Sequence, residues 1–357
     1  MIKRAIRAVV HRLLGIDRVR WLVQAELAAR RPAAPAPSRS DVGGGVFTDR
    51  TGVGHPLDPE LRGRFKPQWR TMCDPVAVAS PPSDEVLAGR ARKAASSVAE
   101  AARLVAAATG RPLDGRILEI GCYDGGAAFQ FVLAGATEVV GSDLARYYVV
   151  QRPGEPTAED VAAQEVALAV LRERARLVAG VGQGQVTFVE DDITASRLEP
   201  ASFDAIVSFE VLEHIARPDA AFAAMARLLK PGGVVYHDYN PFFSVNGGHS
   251  LCTLDFPWGH ARLDPADFER YLREIRPSEV DQGLRFYRES LNRMALADLR
   301  RAVGSAGLDL LALIPWTDRT LVPSLTPEAV ADVRRVYPAA GAEDLLATFV
   351  SVVARRP

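Results

Sequence analysis

The sequence predicts an α/β protein built on a parallel β-sheet with helices on both faces. Three observations lead there. First, five short apolar runs, at about residues 116–120, 138–142, 186–189, 204–208 and 233–237, alternate with helical stretches. Such alternation requires crossover connections, which keep neighbouring strands parallel and cover both faces of the sheet. Second, the first run ends in a glycine turn at Gly121, Gly125 and Gly126, the device that turns a strand into a helix in these sheets. Third, 357 residues with 48% apolar content can bury a large core, as one large domain with additions or as two domains. No stretch of 18 uninterrupted apolar residues is present, so no membrane-spanning helix is expected.

Residues 1–31 carry eight Lys/Arg and two acids, net +6 within a chain of net charge −1. Ile2, Ile6, Val9 and Leu13 recur at helical spacing, flanked by Lys3, Arg4, Arg7 and Arg12. A basic amphipathic helix of this kind suits an anionic membrane surface, its own domain or a second subunit. It lacks the long apolar run and small-residue cleavage site of a secretory signal. Residues 32–83 read as a linker and lid: a Pro/Ala/Gly-rich stretch over 32–45, then an irregular segment with Trp69 and Cys73. The three cysteines, Cys73, Cys122 and Cys252, have no paired spacing, which points to a reducing, cytoplasmic setting, with the inner face of a membrane open through residues 1–31.

Residues 84–357 form the main domain. It opens with a helix over 84–109, started by Asp84-Glu85 and stopped by Thr109-Gly110. Leu87, Ala91, Ala94, Val98, Ala101 and Val105 recur at alternating spacings of four and three and are candidates for its buried side. From Asp143 to Asp192 is 49 residues, about twice what a minimal helical crossover needs. The excess holds Tyr147, Tyr148, the segment 152–156 and a helical stretch over 157–179, placed to shape the mouth of a site or to lie on the surface.

The strand ending in Glu119, the turn Gly121-Cys-Tyr-Asp-Gly125-Gly126 and the acid Asp143 form a nucleoside-binding pattern. Glycines let a ligand approach the backbone, and an acid ending the next strand accepts from both ribose hydroxyls. A dinucleotide presses its pyrophosphate on the second glycine of G-x-G-x-x-G. Here Tyr123 fills that position and Asp124 adds negative charge. A phosphate-free, cationic ligand tolerates both, and S-adenosylmethionine (SAM) is such a ligand.

Further motifs follow in order: Val-Glu-Asp-Asp192-Ile193 after the third apolar run, Phe203-Asp in the fourth, Glu210-Val-Leu-Glu213-His214 after it, and Lys230-Pro-Gly-Gly233 before the fifth. With these the chain resembles the class I SAM-dependent methyltransferases over about residues 85–357; Tyr123 departs from a position that family often fills with glycine. The resemblance implies a doubly wound, mostly parallel seven-stranded sheet, with residues 348–354 entering antiparallel beside 308–314. It implies SAM as cofactor, with Glu119, Gly121, Cys122, Tyr123 and Gly125 on its methionine side. Asp143 and Leu144 would lie at the ribose and Asp192 and Ile193 beside adenine, with Glu210 completing the set.

Transfer of a methyl group to oxygen needs alignment, exclusion of water and removal of the acceptor proton by a base or a metal. The segment Glu210–His214, read as a helix, would place Glu210, Glu213 and His214 on one face, a ligand set for a divalent cation. The pattern is similar to the Glu-x-x-Glu-His of metal-dependent small-RNA 2′-O-methyltransferases and ubiquinone-pathway O-methyltransferases, where a further histidine completes the site in the former; His249 and His260 are available. Residues 237–263 hold three of the six histidines with Asp238, Asp255, Tyr239, Phe242, Phe243, Phe256 and Trp258, and are expected to bind the acceptor. The candidate bases are His237, then His249 and His260, with Asp238 beside them. Arg285, Tyr287, Arg288 and Arg293 would either hold an anionic acceptor or face solvent.

The sequence thus points to O-methylation of a hydroxyl on a small molecule, glycan, glycolipid or secondary metabolite. An RNA 2′-hydroxyl is the alternative acceptor, against which the acidic main domain argues. A nicotinamide oxidoreductase and a non-catalytic partner subunit are the readings from other classes.

Overall fold

The computed structural model describes residues 45–65, 82–149 and 157–357. The expected helix over 1–31, the linker that follows it, Trp69, Cys73 and the segment 152–156 lie outside the described residues. A short antiparallel hairpin comes first: β1 (Val46–Thr48) pairs with β2 (Gly54–Pro56). The main sheet has seven strands: β3 (Arg116–Ile120), β4 (Glu138–Asp143), β5 (Val186–Glu190), β6 (Phe203–Phe209), β7 (Leu229–Tyr239), β8 (Asp309–Trp316) and β9 (Phe349–Arg355). Their order is β5-β4-β3-β6-β7-β9-β8. The pairs from β5 through β7 are parallel, while β9 runs antiparallel between β7 and β8. The chain winds outward from β3 first to one side and then to the other. The crevice at the carboxyl ends of β3 and β6 is therefore the switch point where such sheets bind ligands.

Each element follows from local chemistry. The helix Asp84–Thr109 is capped by the Ser83 hydroxyl, which accepts from Val86 N, and closed by Gly110 at φ 70°. It buries Leu87, Val98, Ala101 and Val105 of the expected stripe, with Leu104 added, while Ala91 and Ala94 are half-buried. The inserted helix Ala158–Ala179 opens with a reciprocal Thr157/Asp160 capping box and ends at Gly180, φ 71°. Strand β7 alternates cleanly. Val235, His237 and Tyr239 face the helix Pro218–Leu228, whereas Val234, Tyr236 and Asp238 face the helix Asp84–Thr109.

Two local expectations are corrected. Lys230-Pro-Gly-Gly233, expected before the fifth strand, lies inside β7, at a register shift opposite Phe203–Ala205. A Cβ on Gly233 would stand 2.9 Å from the Lys230 carbonyl oxygen and 3.1 Å from that of Asp204, so the glycine is needed for this bulge rather than for a loop. Glu210–His214 is not an α-helix. Glu210 has φ 56°, and only Leu212–His214 form a single 3₁₀ turn before Pro218 opens the true helix.

Between β7 and β9 the chain builds a helical lobe from His249–Cys252, Gly259–Arg262, Pro265–Ile275, Val280–Glu289, Pro327–Val336 and Ala342–Leu346. Its core is aromatic: Phe242, Phe243, Phe256, Trp258, Phe268, Tyr271 and Tyr287 are all buried, and Phe268 stacks on Tyr287 with ring centroids 4.1 Å apart. Residues 46–65 pack on this lobe. Phe47 meets Tyr271 edge-on, His55 stacks on Phe256 at 4.6 Å, Arg50 bonds Asp264 and Asp267, and Arg62 pairs with Glu279. No helix among the described residues is long and apolar enough to cross a membrane.

Candidate active site

Glu119 is the penultimate residue of β3, opposite Gly141 of the neighbouring strand, and Asp143 ends that strand, β4. Between them the turn is held by its own backbone. Gly121 N and Cys122 N both donate to the Ser142 carbonyl, at 2.8 and 3.1 Å. Gly121 and Gly125 have φ of 69° and 77°, and Tyr123 also lies in the left-handed region at 42°. A Cβ on Gly121 would strike Val211 at 2.4 Å, and one on Gly125 would strike Phe188 at 2.7 Å. These two glycines are thus required by the turn and by packing within the chain, and the space beside their α-carbons is already filled.

Three carboxylates converge on this turn. Glu119 is buried, its Oε2 has no hydrogen-bond partner, and burial together with Asp124 and Asp143 pushes its carboxyl well above the usual range. Asp124 caps Gly126 N and pairs with Arg90, whose guanidinium lies 5.4 Å from the Tyr123 ring centre. Asp143 accepts from Tyr123 N (2.5 Å), Leu144 N (2.7 Å) and the Tyr148 hydroxyl (2.9 Å). A buried, unpartnered carboxylate oxygen in a cluster of acids suits a cation, so these residues fit the sulfonium and ammonium of SAM. Cys122 is buried, and burial raises its thiol, which fits a packed loop residue rather than a nucleophile. Asp192 caps the short turn Ile193–Ala195 through Thr194, and Ile193 is buried in the core.

The 143–192 insertion touches this turn directly. Arg172 donates through Nε to the Tyr123 carbonyl at 2.8 Å, approaches Asp143 Oδ2 at 3.7 Å and lies over the Phe188 ring at 4.6 Å. No motif in the sequence marks Arg172; it is one of several arginines on a 22-residue helix, and only the fold selects it.

A second cluster forms beyond β6 and β7. Glu213, His214 and His249 bring one potential ligand atom each to within 4.8 Å of one another. Asn292 fixes this turn: its side-chain amide donates to the carbonyls of Leu212 and Ile215, and its N–H donates to the Glu213 carbonyl. Glu213 is fully buried. Its Oε1 accepts from Asn240 N, its Oε2 has no hydrogen-bond partner, and burial raises the carboxyl to about 8. His214 Nδ1 stands 2.5 Å from the Ser290 carbonyl. That oxygen only accepts, so Nδ1 carries the proton and Nε2 is left as a lone-pair donor. His249 sits at φ 52° after Gly247 and Gly248. A Cβ on either glycine would lie within 2.5 Å of main-chain atoms, so this turn admits no side chain and delivers the histidine to His214 at 5.1 Å between ring centroids. Two imidazoles and an orphaned carboxylate oxygen fit a divalent cation with open coordination positions. The expected ligand Glu210 is not among them. Its positive φ turns it away, and it is exposed and paired with Lys93.

The other base candidates separate. His237 is not at the mouth. It is fully buried beneath the helix Pro218–Leu228, bonded to Ser208 Oγ at 2.7 Å and Met225 Sδ at 3.1 Å, and burial lowers it to about 3. His260 is equally buried, with Nε2 at 2.7 Å from the Phe242 carbonyl, and is lowered to about 4, chiefly by burial. Both are neutral core residues. Asp238 projects from the opposite face of β7, bonds Tyr236, and is raised to about 7, first by burial and then by Glu210. Tyr239, Phe242, Phe243, Phe256 and Trp258 build cores rather than an acceptor surface. Arg293 lies over the Phe242 and Tyr287 rings and Arg288 pairs with Glu269, so neither is poised for an anion.

The two buried histidines each contribute to the pH dependence of stability, opposed by the raised carboxyls of Glu213 and Asp238, whose contribution has the opposite sign. Each histidine has a folded pKa below its unfolded 6.5, so the stability that its neutral form contributes is present above pH 6.5 and is lost as pH falls towards 4. Each should cost up to about 1.4 kcal/mol per pH unit within that window. Urea unfolding at pH 7 and pH 5 checks this. His237→Asn should lower the change in stability from pH 5 to pH 7 by up to about 1.4 kcal/mol per pH unit relative to the wild type, and an unchanged slope would contradict the burial argument.

Rings connect the clusters. Tyr123 contacts Tyr148, Tyr148 contacts Tyr147, and Tyr147 contacts His214, with centroids 5.1, 5.3 and 5.2 Å apart. Phe286 adds a wall 6.0 Å from both His214 and His249.

Residues 88–313 match a family described as a methyltransferase domain. Among curated proteins, the ubiquinone biosynthesis O-methyltransferase of Paracidovorax citrulli is 31% identical over 180 residues, 49% of this chain and 63% of that protein. Its counterpart from Alkalilimnicola ehrlichii is 33% identical over 177 residues, 48% and 58% of the two chains. The match thus spans about three fifths of these relatives. Among solved structures, an S-adenosylmethionine-dependent methyltransferase from Mesorhizobium loti is 18% identical, covering 72% of this chain and 100% of that one at a TM-score of 0.41.

Proposed function

The chain belongs to the methyltransferase-domain family, with SAM as its cofactor, and on that premise we propose that it methylates a hydroxyl oxygen held at Glu213, His214 and His249. The observation that carries this reading is the convergence of those three groups at the end of a chain of rings leading from the cofactor turn. The names of the curated relatives, O-methyltransferases both, support oxygen as the acceptor atom.

Bound SAM supplies an electrophilic methyl group on a sulfonium. The chain's own residues do the rest. Glu119 offers its unpartnered oxygen to the cationic end of the cofactor, and Asp143 accepts from the ribose hydroxyls. Arg172 holds the Tyr123 carbonyl and so the shape of the turn. Glu213, His214 and His249 would hold a divalent cation, which lowers the pKa of a hydroxyl beside it. His249, the one base candidate in this cluster, would serve the cation as a ligand, so the acceptor proton would leave the cation-acidified hydroxyl to solvent. Tyr147, half-buried beside His214, has a flat apolar ring, which suits the ring of a sugar or an aromatic compound. A small ring-bearing hydroxyl compound, a glycan unit included, is therefore the acceptor class.

The test is product analysis with methyl-¹³C SAM and a panel of sugars and phenols. A new O-methyl resonance is expected, suppressed by a chelator and restored by Mg²⁺. Methyl transfer to nitrogen or carbon would overturn the oxygen assignment. Full activity after complete metal removal would overturn the cation.

A further inference from the structure

Asp143, the acid assigned above to the ribose, is already engaged by donors from the chain. Oδ1 accepts from Leu144 N at 2.7 Å; Oδ2 accepts from Tyr123 N at 2.5 Å and from the Tyr148 hydroxyl at 2.9 Å, with Arg172 Nη2 at 3.7 Å. A carboxylate offers about four lone-pair sites. The two backbone donors are fixed by the strand-to-turn geometry. The Tyr148 phenol is different: it is a side-chain donor, displaced when the side chain swings about Cα–Cβ, and it fills a carboxylate lone-pair site that a second ribose hydroxyl would need. Tyr148 belongs to the one-turn helix Ala145–Val149, and its neighbour Tyr147 rests on His214.

We propose that the Tyr148 hydroxyl competes with the ribose for Asp143, and that its displacement by the cofactor shifts Tyr147 against His214. Tyr148 is then a positioning residue that sets cofactor affinity and couples the cofactor site to the acceptor cluster. The proposal rests on the reading of Asp143 given above. Its chemistry is a one-for-one exchange of hydroxyl donors on one carboxylate, so no proton or charge moves.

Calorimetric titration of the full chain with SAM and with S-adenosylhomocysteine tests it in the wild type and in Tyr148→Phe. The phenylalanine keeps the ring stacked between Tyr123 and Tyr147 and removes only the competing donor. The variant should bind both ligands about tenfold more tightly, the size of one hydrogen bond to a charged group. Wild-type binding with an unchanged or weaker constant in the variant would overturn this proposal alone. No binding by either protein would overturn it together with the assignment of Asp143. A second readout compares the wild type with Tyr147→Leu. The His214 ring resonance should move when S-adenosylhomocysteine is added, and should move less in Tyr147→Leu. A resonance that stays put in the wild type would overturn the coupling.

Discussion

Asp143→Asn is expected to weaken SAM binding about a hundredfold while leaving the fold intact. Hydrogen bonds to a charged group contribute roughly 1.5–3 kcal/mol each, and a ribose offers two. Asparagine keeps the size of the side chain and one carbonyl acceptor, so it retains part of the network but loses the charge. The same carboxylate accepts from Tyr123 N and Leu144 N, so part of the effect passes through the turn. Thermal unfolding separates the two contributions. A variant with wild-type stability and a hundredfold weaker constant places Asp143 on the ribose. Wild-type affinity in that variant would move the ribose elsewhere.

Glu213→Gln should abolish most methyl transfer, by about 10²- to 10⁴-fold, with SAM affinity within a factor of two. The buried carboxylate already accepts from Asn240 N, and glutamine can preserve that bond through its carbonyl. What glutamine cannot offer is the anionic second oxygen, Oε2, which has no hydrogen-bond partner. His249→Ala should fall in the same range and should lose any response to added Mg²⁺, because it removes one of the three groups that meet. Measured kcat falling with unchanged SAM binding places the cluster on the acceptor side. Near-wild-type turnover in both variants would show that the cluster is structural.

The sheet was legible because its signals are local and repeated: apolar runs of strand length, glycine at the turns, and acids near the ends of β3 and β4. The glycine turn was legible for the same reason, since Glu119, Gly121 and Asp143 lie within 24 residues. The cluster of Glu213, His214 and His249 was less so. A spacing of i, i+3 and i+4 implies a shared face only on an α-helix, and the positive φ at Glu210 breaks that premise. His249 replaces it through a turn that a pair of glycines makes possible, which the sequence shows only as Asn-Gly-Gly-His. His237 and His260 illustrate a different limit. Histidines in an aromatic segment look catalytic until burial is known, and here both are enclosed. Tyr148 was marked only as lying in the long interval after Asp143, and Arg172 sits on an inserted helix that carries no motif, so their approach to Asp143 appears only in three dimensions.

The central claim is that the turn from Glu119 to Gly125 and the acid Asp143 form a working SAM site in spite of Tyr123. Calorimetric titration of the unaltered chain with SAM, with NAD as control and with and without Mg²⁺, tests it most directly. Binding of SAM in the micromolar range with none for NAD is the expected result. An absence of SAM binding in both conditions would contradict it and would leave the fold without the chemistry assigned to it here.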